Sequence, residues 1–214
     1  MLDHVTWFKN SAFLWRSADL AIYIDPWGIP EDSPPADVIL VTHAHYDHFI
    51  PEDIEKVRTP RTALVGPADV AKELSGDVTA VGPGDAVEAS GVKVQCVPAY
   101  NVQQDRLEFH PDSNRWVGYI VELADGVYYH AGDTDHLPEL ESIHADVAFL
   151  PAGGTFTMDA HQAAGLAKAM TPGTAVPMHY GFISGSSKDG QTFRDAASPV
   201  TVEVFEPVNP FERP

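Results

Sequence analysis

A chain of 214 residues with 44% hydrophobic and 10% aromatic side chains can bury a substantial core and is not a disordered polypeptide. Its 31 acidic residues against 13 basic give a formal charge of −18, which repels polyanions and argues against nucleic acid or an anionic membrane surface as partner. Cys96 is the only cysteine, so an intramolecular disulfide and a thiolate metal cluster are excluded, and any metal must be held through nitrogen and oxygen.

In chain order, Val5 to Phe8, Ala12 to Trp15 and Leu20 to Asp25 read as strands rich in β-branched and aromatic residues. Because the chain opens on a strand, with no basic leader and apolar run, a cytoplasmic protein is the expectation. Pro26 to Ala36 is a Pro/Gly loop. Asp37 to Thr42 follows as an apolar run of the kind buried on both faces of a sheet. Pro51 to Val57 and Pro67 to Leu74 read as helices, Thr62 to Val65 and Val78 to Val81 as strands. After a Gly82-Pro83-Gly84-Asp85 turn, Ala86 to Ala89 and Val92 to Pro98 are strands, with Cys96 a buried thiol in the second.

Asn101 to Asn114 is polar and irregular. Trp116 to Leu123 and Val127 to His130 are strands, and a short helix at Pro138 to Ser142 precedes a buried strand at Asp146 to Leu150. Asp159 to Met170 reads as a helix with an Ala-rich face, Thr174 to Met178 as a strand ending at His179, and Val200 to Phe205 as the last strand. The Ser/Gly-rich stretch Ile183 to Gly190 reads as a mobile loop. Residues 1 to 214 are expected to form one domain.

The chemistry concentrates where the buried strand ends. Thr42-His43-Ala44-His45-Tyr46-Asp47-His48 places four metal-competent side chains within six residues. Imidazole and carboxylate suit zinc, and also manganese or iron. Alternate residues of an extended segment point the same way, so His43 and His45 can share one metal. The turn beyond can present Asp47 and His48 to a second.

H-x-H-x-D-H after a buried strand resembles the metallo-β-lactamase superfamily. The opening Val5-Thr6-Trp7 through Ile24-Asp25-Pro26 is similar to the branch that contains L-ascorbate-6-phosphate lactonase and uncharacterised metal-dependent hydrolases. Tyr129 to Thr134 and Pro177 to Tyr180 look like that branch's later motifs, and Thr157-Met158-Asp159 also fits it. The resemblance implies an α+β fold, a four-layer αββα sandwich with its site at one edge. It further implies that His43 and His45 bind a first metal and Asp47 and His48 a second. Asp133 would bridge them, and His179 would complete the second site. Asp47 and His48 are then the residues expected to carry catalysis, Asp47 by steering a metal-bound hydroxide.

That branch has a third first-site histidine where this chain has Asn101. An amide oxygen is a weak zinc ligand, and His110, nine residues on, is the only other histidine between His48 and His130. His110 is therefore expected to fold back as the missing ligand, against an open first site with Asn101 behind it. His130 and His136 are read as lying near the site, His161 as a first-turn helix residue, and His4 and His144 as structural or solvated. Tyr180 is read as a packed tyrosine, with oxyanion stabilisation as the rival role.

The expected activity is hydrolysis of a small-molecule ester, lactone or phosphodiester by two zinc ions; self-association is left open. Three rivals belong to the superfamily: a nuclease of the ribonuclease Z kind, against which the −18 charge and the lack of an added substrate-binding arm count, a non-heme iron redox protein or dioxygenase, and a non-catalytic metal-binding member. A barrel amidohydrolase also uses H-x-H, but 214 residues are few for a (β/α)₈ barrel.

Overall fold

Two mixed sheets of six strands face each other in a computed structural model that describes residues 1–213. The first sheet runs in chain order: β1 (Val5–Lys9), β2 (Ala12–Arg16), β3 (Ala21–Ile24), β4 (Val38–Leu40), β5 (Ala63–Gly66) and β6 (Val78–Ala80). The second runs from β7 (Ala86–Ala89) through β8 (Val92–Pro98), β9 (Val117–Leu123), β10 (Gly126–His130) and β11 (Val147–Pro151) to β12 (Thr174–Met178). Each sheet begins as an antiparallel meander, β1 to β3 and β7 to β10, and finishes as a parallel set.

The two-residue alternation of side chains sorts the apolar residues into layers. Ile22, Ile24, Val38 and Leu40 point inward and meet Val94, Cys96, Val117 and Tyr119 of the second sheet. Their neighbours Tyr23, Ile39 and Val41 point outward against α1 (Pro51–Val57) and α2 (Ala68–Glu73), through Ile54, Val57 and Val70. That is why β4 is apolar at every position: both of its faces are covered. On the far side α3 (Ala160–Met170) packs Ala163, Leu166, Ala167 and Met170 into the cluster that contains β11 and β12, with α4 (Asp189–Ala197) alongside. Asp159 caps α3 by accepting from Gln162 N at 2.8 Å, while Gln162 Oε1 accepts from Asp159 N. The layers are helix, sheet, sheet, helix, the αββα sandwich. Among the described residues no helix is long and apolar enough to cross a membrane.

Two expectations are corrected. Val200 to Phe205 is not a strand: Val202 makes a single parallel bridge to Ala175, through Ala175 N to Thr201 O (2.9 Å) and Glu203 N to Ala175 O (3.0 Å), and the chain then leaves the sheet. The Ser/Gly stretch at 183–190 leads into α4, which the sequence reading did not anticipate. It is pinned by Ser186 N to Asp189 Oδ2 (2.7 Å), Ser187 N to Arg213 O (2.9 Å) and Arg213 Nη1 to Ile183 O (2.9 Å).

Candidate metal centre

Strands β4, β10 and β12 all end at one edge of the sandwich, and so does the loop between β8 and β9. The floor of this edge is organised by Asp25, a fully buried residue at the end of β3. Its backbone sits at φ +48°, a left-handed conformation that aspartate tolerates better than most residues. From there Oδ1 accepts from Thr42 N and Oδ2 from Thr42 Oγ1, both at 2.7 Å. His48 Nδ1 donates to the same Oδ2 at 2.7 Å. With its hydroxyl proton committed to Asp25, Thr42 Oγ1 accepts from His43 Nδ1 at 2.9 Å. Both imidazoles therefore keep Nε2 free to face inward, and neither can swing.

Seven metal-competent side chains gather there in two groups, His43 with His45 and His110, and Asp47 with His48, Asp133 and His179. In the first, His43 Nε2 lies 3.1 Å from His45 Nδ1. In the second, His48 Nε2 is 3.1 Å from Asp47 Oδ2 and 3.3 Å from Asp133 Oδ1, and His179 Nε2 is 3.3 Å and 3.0 Å from Asp47 Oδ2 and Asp133 Oδ2. Asp133 stands between the groups, because its Oδ2 is also 3.2 Å from His110 Nε2. Every side chain expected from the sequence to hold metal is in one of the two groups.

Close backbone packing brings the pieces together. Gly132, at φ +62°, lets the Asp133 turn press against the start of β9 and the segment after β4: a Cβ there would lie 3.0 Å from Val117 O and 3.2 Å from Thr42 Cβ. Gly153 allows the same at His179, whose carbonyl oxygen a Cβ would strike. Asn10 Nδ2 donates to Asp47 Oδ2 at 2.9 Å, and His130 fixes the Asp133 turn by donating from Nε2 to Ser11 O (3.0 Å) and accepting from Gly132 N at Nδ1 (3.2 Å).

His110 arrives on the irregular loop, held by a buried ion pair. Arg106 Nε donates to Asp135 Oδ1 at 2.6 Å, Asp135 Oδ2 accepts from the backbone N–H of Val102 and Gln103, and Arg106 Nη2 donates to Gln162. Asn101 stands behind His110 rather than beside it. Its Nδ2 donates to Arg106 O and Phe156 O, both at 2.8 Å, and lies 3.1 Å from His110 Nδ1. Trp116 closes the first group from below, its ring centroid 4.8 Å from both His43 and His45, with its indole N–H donated to Asp69 at 2.7 Å.

The groups differ in charge. Burial, then the neighbouring His48, holds His43 well below the ordinary histidine range, and burial followed by His110 lowers His45. Burial opposes charge on His48 and His179 too, but the carboxylates overcome it. Asp133, Asp47 and Asp25 push His48 well up, and Asp133 with Asp47 pushes His179 up to about 9. Burial would raise Asp47 and Asp133, yet His48 and His179 hold both below the usual carboxylate range.

Among the described residues thirteen buried side-chain atoms lack a well-aligned hydrogen bond, and four of them converge here: His48 Nε2, His110 Nε2, Asp133 Oδ1 and His179 Nε2. Four nitrogen and oxygen donors aimed at one centre fit bound cations. Above them opens a cavity of about 170 Å³, walled by Tyr46, Phe109, Phe156 and Ile183. Tyr180 and His136 do not line it. Tyr180 packs on Trp7 at 5.2 Å, which leaves no oxyanion role, and His136 pairs with Glu141 at 2.8 Å. His4, His144 and His161 are exposed away from the centre.

This fold and this cluster of histidines and aspartates define a class. Residues 4–179 match the family model of the Beta-lactamase superfamily domain, and the chain belongs to the metallo-β-lactamase superfamily. Within it, the chain is 36% identical over 204 residues to a UPF0173 metal-dependent hydrolase of Pyrococcus horikoshii, covering 87% of this chain and 89% of that one. A UPF0173 metal-dependent hydrolase of Methanopyrus kandleri is 30% identical over 230 residues, 98% of this chain and 99% of its own. The crystal structure of a candidate metal-dependent hydrolase from Parabacteroides distasonis superposes with a TM-score of 0.86 at 31% identity, covering 95% of this chain and 92% of that one.

Sequence reasoning did not find Asp25, Arg106 or Asp135 as supports of this centre. Asp25 acts on His48 from 23 residues away, and only the parallel pairing of β3 with β4 brings them together.

Proposed function

We propose that the chain is a metal-dependent hydrolase that holds two metal ions, zinc suiting the donors best, and adds water to a small ester, lactone or phosphodiester. The observation that carries this reading is the position of Asp133, one carboxylate shared between His110 of the first group and His179 of the second. His43, His45 and His110 would hold one ion; Asp47, His48 and His179 the other, with Asp133 between them. When bound, such ions bring the pKa of water near neutrality and polarise the bond under attack.

The chain's own residues do the rest. Asp25 and Thr42 fix the two imidazoles on which the centre is built, so no reorganisation is needed when charge develops. Asp47, anchored by Asn10, lines the cavity and is placed to orient the attacking water. Phe109 and Phe156 shield the centre from bulk solvent. The names of the relatives support hydrolysis as the reaction class.

The test is removal and return of metal. Protein stripped with a chelator should lose hydrolysis of chromogenic esters and diesters, and adding zinc or manganese should restore it. Hydrolysis that persists in metal-free protein contradicts the proposal. One bound iron per chain with oxygen consumption in place of hydrolysis would favour the redox reading.

A further inference from the structure

The cavity is made of two unlike materials. Its floor is the ring of histidines and aspartates, while its walls are Tyr46, Phe109, Phe156 and Ile183. Phe109 and Phe156 meet edge to face, with centroids 4.9 Å apart and planes at 90°, the favoured geometry for two aromatic rings. Their backbones are tied down: Phe156 O accepts from Asn101 Nδ2 at 2.8 Å, and Asn101 N donates to His110 O at 2.8 Å, next to Phe109. Ile183 on the opposite side is pinned through its carbonyl to Arg213. Phe109, Phe156 and Ile183 therefore form the tied apolar part of the slot, with Tyr46 exposed at its rim. At about 170 Å³ the slot is smaller than the 300–1,000 Å³ or so of pockets for drug-sized molecules.

No lysine or arginine is among the residues that line the slot, whereas Asp47 and Asp133 are. A charged group reaching between these walls would give up water for aromatic and aliphatic side chains, with no lysine or arginine there to pair with it. An uncharged carbonyl compound with a flat or compact apolar group meets the opposite conditions. Its apolar part leaves water for Phe109, Phe156 and Ile183, and its carbonyl reaches the floor.

We infer that the substrates are carboxylic esters or lactones whose group facing these walls is uncharged, compact and apolar or aryl. The inference rests on the hydrolytic reading above and narrows it. The oxygen of water bonds to the carbonyl carbon, and the single bond from that carbon to the ester oxygen breaks. Its electron pair stays on the departing oxygen, which takes up one proton. The products are an acid and an alcohol, or one hydroxy acid from a lactone.

The experiment uses the metal-loaded protein and three compounds. 4-Nitrophenyl butyrate and the mono-4-nitrophenyl ester of succinic acid share a leaving group and differ at the far end by a carboxylate; bis(4-nitrophenyl) phosphate is the third. The neutral ester should show a kcat/KM about 10- to 100-fold above the charged one, and Phe156→Ala should shrink that preference toward parity without changing metal content. A readout independent of turnover is the δ1-methyl NMR signal of Ile183, which acetophenone should shift to saturation. Equal or better use of the charged ester, turnover of the phosphodiester alone, or an Ile183 methyl unmoved by acetophenone overturns the inference and leaves the hydrolase standing. Hydrolysis of none of the three compounds removes the hydrolase reading, and the inference with it.

Discussion

The two donor groups sit side by side at one edge of the sandwich and solve opposite problems. The first is made of imidazoles alone: His43 and His45 are held below the ordinary histidine range, and His110 is delivered by a loop. Asp47, His48, Asp133 and His179 are buried and balanced, two carboxylates against two imidazoles that stay protonated through neutral pH in the absence of metal. In the second group protons on His48 and His179 occupy the role a cation would take, whereas His43 and His45 of the first are held neutral. The sandwich can therefore assemble its second site before metal arrives, while the first depends on its loop supports.

The contact that joins the groups should be the most sensitive point. Asp133→Ala removes the shared carboxylate and leaves His48 and His179 facing each other with one partner fewer. Both metals should be weakened and hydrolysis should fall by about 1,000-fold or more, on the scale of lost transition-state stabilisation at a metal centre. Two tightly held metals per chain in that variant would break the comparison at its hinge.

His110→Ala separates the groups. It should cost the first-group metal, leave the second, and lower hydrolysis by roughly 100-fold while the fold's thermal transition changes little. Elemental analysis reads the stoichiometry, and unchanged metal content with unchanged activity would show that His110 is no ligand.

The smallest effect lies in proton linkage. His179 is raised from its ordinary 6.5 to about 9, so its contribution to the metal-free fold is complete below about 6.5 and is lost as pH rises toward 9. Metal entering the second group must displace that proton. Zinc added to weakly buffered metal-free protein between pH 7 and 8 should release protons, and the apparent affinity of the second site should climb with pH up to about 9. His179→Ala protein, loading only its first group, should release few protons in that range, since His43 and His45 are held below the ordinary value. Equal release from both proteins would show that the groups do not differ as described.

How much of this was legible in the sequence follows from the range over which each signal acts. The run from His43 to His48 is local, and a strand with both faces buried announces itself by being apolar at every position, as Val38 to Leu40 is. His110 could be reached because so few histidines compete for the role. Asp25 and the Arg106–Asp135 pair carry no local mark; each becomes a support only through partners 17 to 56 residues away. Val200 to Phe205 alternates like a strand, but the chain makes only one bridge to β12 at Val202 before turning away. Helix α4 hid because Gly190 and Thr192 weaken its propensity and only Gly190, Phe193 and Ala197 are buried on it.

The most direct measurement is a count of metal per chain in purified protein by elemental analysis, with each ion placed by anomalous scattering. Two ions close together, one against His43, His45 and His110 and one against Asp47, His48 and His179 with Asp133 touching both, is the predicted result. Protein that is folded and free of metal after growth and dialysis in zinc, or one ion bound elsewhere, would contradict the account.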